Sequence, residues 1–320
     1  MKSFRTEIKI KPSQKQFDHQ SSILTLGSCF SDQVGRLLKR FKFSSSSNPL
    51  GIAFNPLAIL AQLQLSESDA DLNDAHIVEY DEQFFHLFGH SSIRSAHRDD
   101  LKKKVLTASR SLEHSLLKAD LISITWGTAF AYIHGETQSV VANCHKQDSS
   151  LFRKDLLEPN VIIEAYSKLF KKHPDKNFLL TVSPVRHLKD TLELNSVSKG
   201  ILRYASHTLS QTFENVEYFA SYEVLMDDLR DYRFYKDDML HPSDEAIQYI
   251  WKLFEDFAFS SETRAVNRNW EKVLRSLEHR PFNPDGASHK DFLRKLLSNI
   301  TSFPFSVDTE IEELKKVIDA

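Results

Sequence analysis

The sequence predicts a three-layer α/β/α protein with a mostly parallel sheet, extended by helices at its carboxyl end. Short apolar runs at residues 22–26, 121–126, 178–182 and 216–219 alternate with longer amphipathic segments. Such alternation implies parallel strands joined by right-handed crossovers and covered by helices on both faces. Beyond Phe259 no strand-like run recurs, and three short amphipathic segments separated by Pro-containing turns take over. Residues 1–260 are therefore expected to form one α/β domain. Residues 261–320 are expected to form a helical extension that packs on it or joins two subunits as a homodimer.

Residues 1–20 read as an extended arm leading to the first strand. That strand, Ile23, Leu24, Thr25 and Leu26, ends in Gly27 and Ser28, and an amphipathic helix over 31–41 follows. Ser28 thus stands at a strand's carboxyl end. Open α/β sheets bind ligands along this edge, and a helix amino terminus there offers backbone N–H groups and positive dipole to an anion. Ser28 is a candidate nucleophile on this ground; the alternative is a serine that only caps the helix. Residues 44–49, four serines with Asn48 and Pro49, read as a polar loop too short to link domains. The loop delivers Gly51 and Asn55, and a helix over 56–65 follows. With only 8 Gly in the chain, it is informative that Gly27, Gly51 and Gly127 all fall in candidate site loops.

Residues 77–93 hold short strand-like pieces around Gly89, together with His86 and His90, and read as an insertion that roofs the site, with His90 a candidate substrate contact. Leu101, Val105, Ala108, Leu112 and Leu116 mark one face of a covering helix over 98–118. The strand at 121–126 runs into a glycine turn at Gly127. A hairpin-like excursion through residues 134–137 then returns at 140–143. A helix over 159–172, a strand ending at Ser183, Pro184, Val185, Arg186 and His187, a helix over 193–213 and a strand at 216–219 complete the alternation. The turn at 235–243 carries Asp238 and His241 three residues apart. Ser243 is a good N-cap, Asp244 and Glu245 suit a first helical turn, and Ile247, Ile250, Trp251, Phe254 and Phe257 form an apolar stripe behind it. A serine needs a base and the base an orienting group, so Ser28, His241 and Asp238 together suit nucleophilic catalysis, with Asp237 the alternative acid. Helices over 262–279, 288–300 and 308–319 finish the chain.

The arrangement of a serine after the first strand and Asp-x-x-His before the domain's last helix resembles the SGNH/GDSL hydrolases, whose fold is of the flavodoxin-like three-layer type. More closely, Gly27, Ser28, Cys29 and Phe30 resemble the signature of the GSCFA-domain proteins, with Ser31 in place of the alanine. Residues 48–56, 126–129, 141–146, 183–185 and 280–284 are similar to that family as well, so the likeness runs over about residues 20–300. The resemblance implies a serine esterase or acyl hydrolase acting on a small acyl ester, with O-acetyl groups on a carbohydrate as one such substrate. It implies Ser28 as nucleophile, His241 as base and Asp238 as orienter. The wider group commonly places an asparagine in Gly-x-Asn-Asp at the second glycine turn, and here Ala129 stands in that position. The Ser28 N–H, the Gly51 N–H and the Asn143 side chain are then the expected oxyanion donors, with Asn55 next in line. Gly127, Asn55 and His90 are expected to line the substrate pocket.

A hydrophobic fraction of 41% and 23 Phe describe a chain with a substantial core, and 41 basic against 44 acidic residues give no bias toward nucleic acid or an anionic membrane. No window approaches the roughly 18 apolar residues of a membrane span, and the amino terminus alternates charged with apolar residues, so a cytoplasmic location is expected. Cys29 and Cys144 make no disulfide framework and are read as small residues packed near the nucleophile. The motifs require no cofactor. Of the 14 His, the three in or near the candidate loops, His134, His145 and His241, form no H-x-x-x-H or H-E-x-x-H pair, and no metal is expected. The competing reading is a non-catalytic binding module on the same fold.

Overall fold

The computed structural model describes residues 5–67, 72–279, 281–283 and 286–319. Within the last resemblance segment, Arg280 and Pro284 lie outside the described residues, as do residues 1–4 of the expected arm. The central sheet has five strands, all parallel: β1 (Ser22–Gly27), β2 (Ser44–Ser47), β6 (Leu121–Trp126), β10 (Asn177–Val182) and β11 (Val216–Tyr218). Their spatial order is β11-β10-β6-β1-β2. From β1 the chain moves first to one side, to β2, and then to the other, to β6. The gap between the carboxyl ends of β1 and β6 is thus the switch point where a doubly wound sheet opens a crevice.

The strands are buried on both faces, and their side chains alternate between two cores. Leu24, Leu26, Ile122, Ile124 and Leu180 face one core together with α2 (Pro56–Ser66), α3 (Arg98–Lys118), α4 (Pro159–Lys172) and α5 (Thr191–Thr212). Ile23, Leu121 and Leu179 face the other, against α1 (Cys29–Arg40) and α7 (Asp244–Ala258). On this second face Ser123, Thr125 and Thr181 are small, which leaves room for Phe30, Trp251 and Phe254 to pack down on the sheet. A short helix, α6 (Ser221–Glu223), continues into a π-helical turn over Val224–Leu229 on the same side.

Two small antiparallel sheets interrupt the alternation. One joins β3 (Ile77–Tyr80), β4 (Gln83–His86) and β5 (Arg94–Ser95); the other joins β7 (Phe130–His134) to β8 (Val140–Val141) and β9 (Phe152–Leu156). The carbonyl of Leu87 accepts from the N–H groups of Ala142 and Asn143, so the two insertions are stitched together.

Three details differ from the sequence reading. Residues 44–47 form strand β2 at the sheet edge rather than a loop, paired with β1 from Ser22↔Ser44 to Thr25↔Ser47. Serine has little strand preference, but an edge strand needs no apolar face, and Ser47 is fixed by a 2.7 Å hydroxyl contact with Thr25. Helix α1 begins at Cys29, two residues earlier than expected. Strand β9 was hidden because Arg153, Lys154 and Asp155 are charged in a sheet that has one solvated face. The carboxyl-terminal helices α8 (Ser261–Glu278), α9 (Ala287–Ile300) and α10 (Asp308–Asp319) pack on the α/β unit. Trp270 is fully buried and donates its indole N–H to Arg40 O at 2.9 Å, and Lys42 pairs with Glu310 at 2.6 Å. No described helix is long and apolar enough to cross a membrane.

Candidate active site

Ser28 lies at the carboxyl end of β1 in the N-cap position of α1, 1% exposed. Its hydroxyl makes no capping bond, and the buried Oγ has no hydrogen-bond partner at all. The turn before it is held from three sides. Gly27 has φ +121°, which favours glycine, and its N–H donates to Asn48 Oδ1 at 2.8 Å. The Asn48 amide in turn donates to Asp32 Oδ1 on α1 at 2.6 Å. Ser28 N–H donates to Thr125 O on β6 at 3.1 Å, and Gly27 O accepts from Ala53 N–H at 3.2 Å.

Gly127, at the end of β6, forms the facing wall. Its N–H and that of Thr128 both donate to Phe54 O, at 2.7 and 3.0 Å. A methyl group built on Gly127 would lie 3.3 Å from Ser28 Cβ and 3.4 Å from His187 Nε2. The missing side chain therefore keeps a gap open between the serine and this histidine. Beneath the gap, the fully buried Lys199 on α5 donates to Gly127 O at 2.6 Å and to Ser183 O at 2.7 Å, tying the ends of β6 and β10 together. Burial pulls its ammonium down to about 7, against a smaller upward pull from the Cys29 thiol. Cys29 itself is pushed up by burial, so the residue beside Ser28 is held as a thiol and not as a nucleophilic thiolate.

On the adjoining turn, Asp238 Oδ1 accepts from the N–H groups of Leu240 (2.8 Å) and His241 (2.9 Å), while Oδ2 meets His241 Nδ1 at 2.7 Å. The His241 N–H first, then the Leu240 N–H and the imidazole, bring the Asp238 carboxyl down to about 2. An ionised carboxylate only accepts hydrogen bonds, so Nδ1 carries the hydrogen and Nε2 is left with its lone pair. Asp238, rather than Asp237, is the acid in contact with the imidazole. The turn is joined to the β10 loop, since Arg186 N–H donates to Leu240 O at 3.1 Å and the Arg186 guanidinium lies 3.9 Å over the Tyr235 ring.

The predicted residues thus fall into three groups. Ser28 and Gly127 share the crevice; Asp238 and His241 form a pair on the turn before α7; Gly51, on the loop between β2 and α2, and His90 and Asn143, on the insertions, make up the rest. Ser28 Oγ and His241 Nε2 are not hydrogen-bonded. The expected oxyanion donors are already engaged. Ser28 N–H is used by Thr125, Gly51 N–H donates to Asn48 O at 2.7 Å, and the Asn143 amide donates to Ser91 Oγ at 3.2 Å. Asn143 Oδ1 accepts from His145 N–H at 2.8 Å, an Asx-turn that supports the left-handed His145 and Lys146. Asn55 is the N-cap of α2, its side-chain oxygen accepting from Ala58 N–H at 2.8 Å. His90 packs its Cβ against Gly51, whose φ of +83° and tight contact both call for glycine, and its Nδ1 contacts Ser92 Oγ at 3.1 Å. His134 and His145 are likewise engaged locally, with Thr137 and with His86 O.

Two residues of the crevice escaped the sequence reading, His187 and Lys199. Lys199 did leave a signal: it falls among Asn195, Ser198, Leu202, Ala205 and Leu209 on the buried face of α5, where a charge is out of place. His187 directly follows the segment at 183–185, yet nothing in local spacing sets a loop histidine apart.

The structure thus combines a buried serine hydroxyl without a partner at the switch point of a parallel α/β sheet with a carboxylate-held histidine on the turn before α7. Residues 22–254 match the GSCFA family, and residues 270–320 match the GSCFA domain protein, C-terminal domain. The chain belongs to the GSCFA family. No curated protein matches the sequence.

Proposed function

We propose that the protein is a serine esterase that transfers a small acyl group from an alcohol ester to water. The observation that carries this reading is the Ser28 hydroxyl, sealed from solvent yet left without a partner at the amino end of α1. A buried hydroxyl without a hydrogen bond costs about 1–3 kcal/mol, and at the switch point of a parallel sheet, where ligands bind, a substrate can complete it. In the reaction, Ser28 Oγ attacks the ester carbonyl and the π pair moves to the carbonyl oxygen. The Oγ proton passes to His241 Nε2. Collapse breaks the bond to the alkoxide, which leaves with that proton, and water repeats the sequence to release the acid and restore Ser28. Asp238 holds the imidazole in the required tautomer and stabilises the imidazolium. The likeness to SGNH hydrolases supports the same assignment, and it is the only support for a carbohydrate O-acetyl substrate.

A fluorophosphonate probe should label wild-type protein at Ser28, and short-chain p-nitrophenyl esters should be turned over. His241→Ala should abolish turnover about as fully as Ser28→Ala, with Asp238→Asn leaving more activity, because triad members act as a unit. A folded wild type that is neither labelled nor active would sink the esterase reading. The second reading, a binding module, draws on the engagement of the predicted oxyanion donors, and it expects ligand binding with no covalent adduct.

A further inference from the structure

Acyl transfer at Ser28 needs a hydrogen-bond donor for the oxyanion, and of the donors expected from the sequence the Ser28 and Gly51 N–H groups are spent on backbone carbonyls and one Asn143 amide hydrogen goes to Ser91. His187 supplies what is missing. Its backbone N–H is tied to Asn195 Oδ1 at 3.0 Å, and its ring meets Phe54 edge-on with centroids 5.8 Å apart, so the imidazole is held from two sides. Its Nε2 is buried and has no partner, as is Ser28 Oγ, and both border the gap at Gly127. Two orphaned polar atoms, beyond the carboxyl ends of β1 and β10, thus belong to residues that the same missing side chain at Gly127 would touch.

We infer that His187 is a catalytic residue that donates its Nε2–H to the carbonyl oxygen of the substrate as Ser28 attacks. This rests on the acyl-transfer reading of Ser28. A neutral imidazole donates from one nitrogen only, and an acceptor oxygen arriving at Nε2 selects the tautomer with its hydrogen there. Neutrality is secured by the surroundings. Burial first, then the Lys199 charge, against an opposing pull from Asp190, bring His187 down to about 4. His187 is thus a poor base at neutral pH and a donor that needs no proton from solvent.

The test uses two variants of similar volume, His187→Gln, which keeps an amide N–H near the position of Nε2, and His187→Leu, which keeps none. Both are assayed on p-nitrophenyl acetate for kcat and KM, with melting temperature measured alongside. His187→Leu should lose roughly 10²–10³-fold in kcat with KM little changed, and His187→Gln should recover at least tenfold of that loss. If the leucine variant turns over like wild type, the donor role is overturned while the esterase reading stands. Equal inactivity of two folded variants also overturns it, because it makes the ring a base. Should the leucine variant fail to fold, a folded but inactive glutamine variant overturns it alone. A wild type that is inert and unlabelled at Ser28 overturns both readings together.

Discussion

Replacing Ser28 by alanine should make the protein more stable while silencing it, and the sign of the stability change separates two accounts of this residue. Ser28 stands in the N-cap position, where serine usually caps; losing such a cap costs about 0.5–2 kcal/mol. Here the hydroxyl caps nothing, is 1% exposed and has no partner, so its removal relieves an unmet desolvation cost of about 1–3 kcal/mol. The methyl of alanine remains in the same packing, so no cavity of consequence opens. At roughly 2 cal/mol/K of unfolding entropy per residue, a chain of 320 residues gains roughly 2–4 °C in melting temperature. Scanning calorimetry on wild type and variant reads this directly, with urea unfolding as a second measure. A melting temperature that falls would make Ser28 a capping residue and remove the physical ground for calling it a nucleophile.

Lys199 gives a prediction in pH. Its ordinary value of 10.5 is depressed to about 7 in the folded protein, so between these values the unfolded chain binds the additional proton and stability rises with pH. Wild type should gain about 2 kcal/mol over Lys199→Met between pH 7 and pH 9 in urea unfolding, and a flat difference would show that the two carbonyls keep the ammonium charged. Asn143→Ala should cost about 1–2 kcal/mol of stability through loss of its bonds to His145 N–H and Ser91 Oγ, with kcat unchanged; a hundredfold fall in kcat without melting earlier would return Asn143 to the oxyanion site.

Much of the architecture was legible because apolar periodicity and glycine turns are local signals. Helix α3 spans the residues its stripe predicts, and α7 buries Ile247, Ile250, Trp251, Phe254 and Phe257 as expected. Strands β2 and β9 were not legible, since their side chains carry little apolar pattern and their existence depends on a neighbour's ladder. The same division holds within the site. Asp238 and His241 are three residues apart on one turn, and local geometry alone brings them into contact. Whether a donor is free is a different kind of fact. Gly51 N–H is closed by a local turn onto Asn48 O, whereas only a tertiary partner, Ser91, shows that one Asn143 amide hydrogen is taken.

That distinction also explains why the crevice is built as it is. The ends of β1, β6 and β10 are bound to one another almost completely: Ser28 N–H to Thr125 O, Gly127 N–H to Phe54 O, and Lys199 to Gly127 O and Ser183 O. A frame so fully hydrogen-bonded cannot relax to satisfy a stray hydroxyl or imidazole at its rim. Ser28 Oγ and His187 Nε2 stay unpaired beside Gly127. Preorganised groups of this kind interact most strongly with charge that develops between them, since nothing has to reorient when it appears. On the acyl-transfer reading, the frame that leaves the two atoms available is the one Lys199 ties together through Gly127 O and Ser183 O, which makes it a positioning residue.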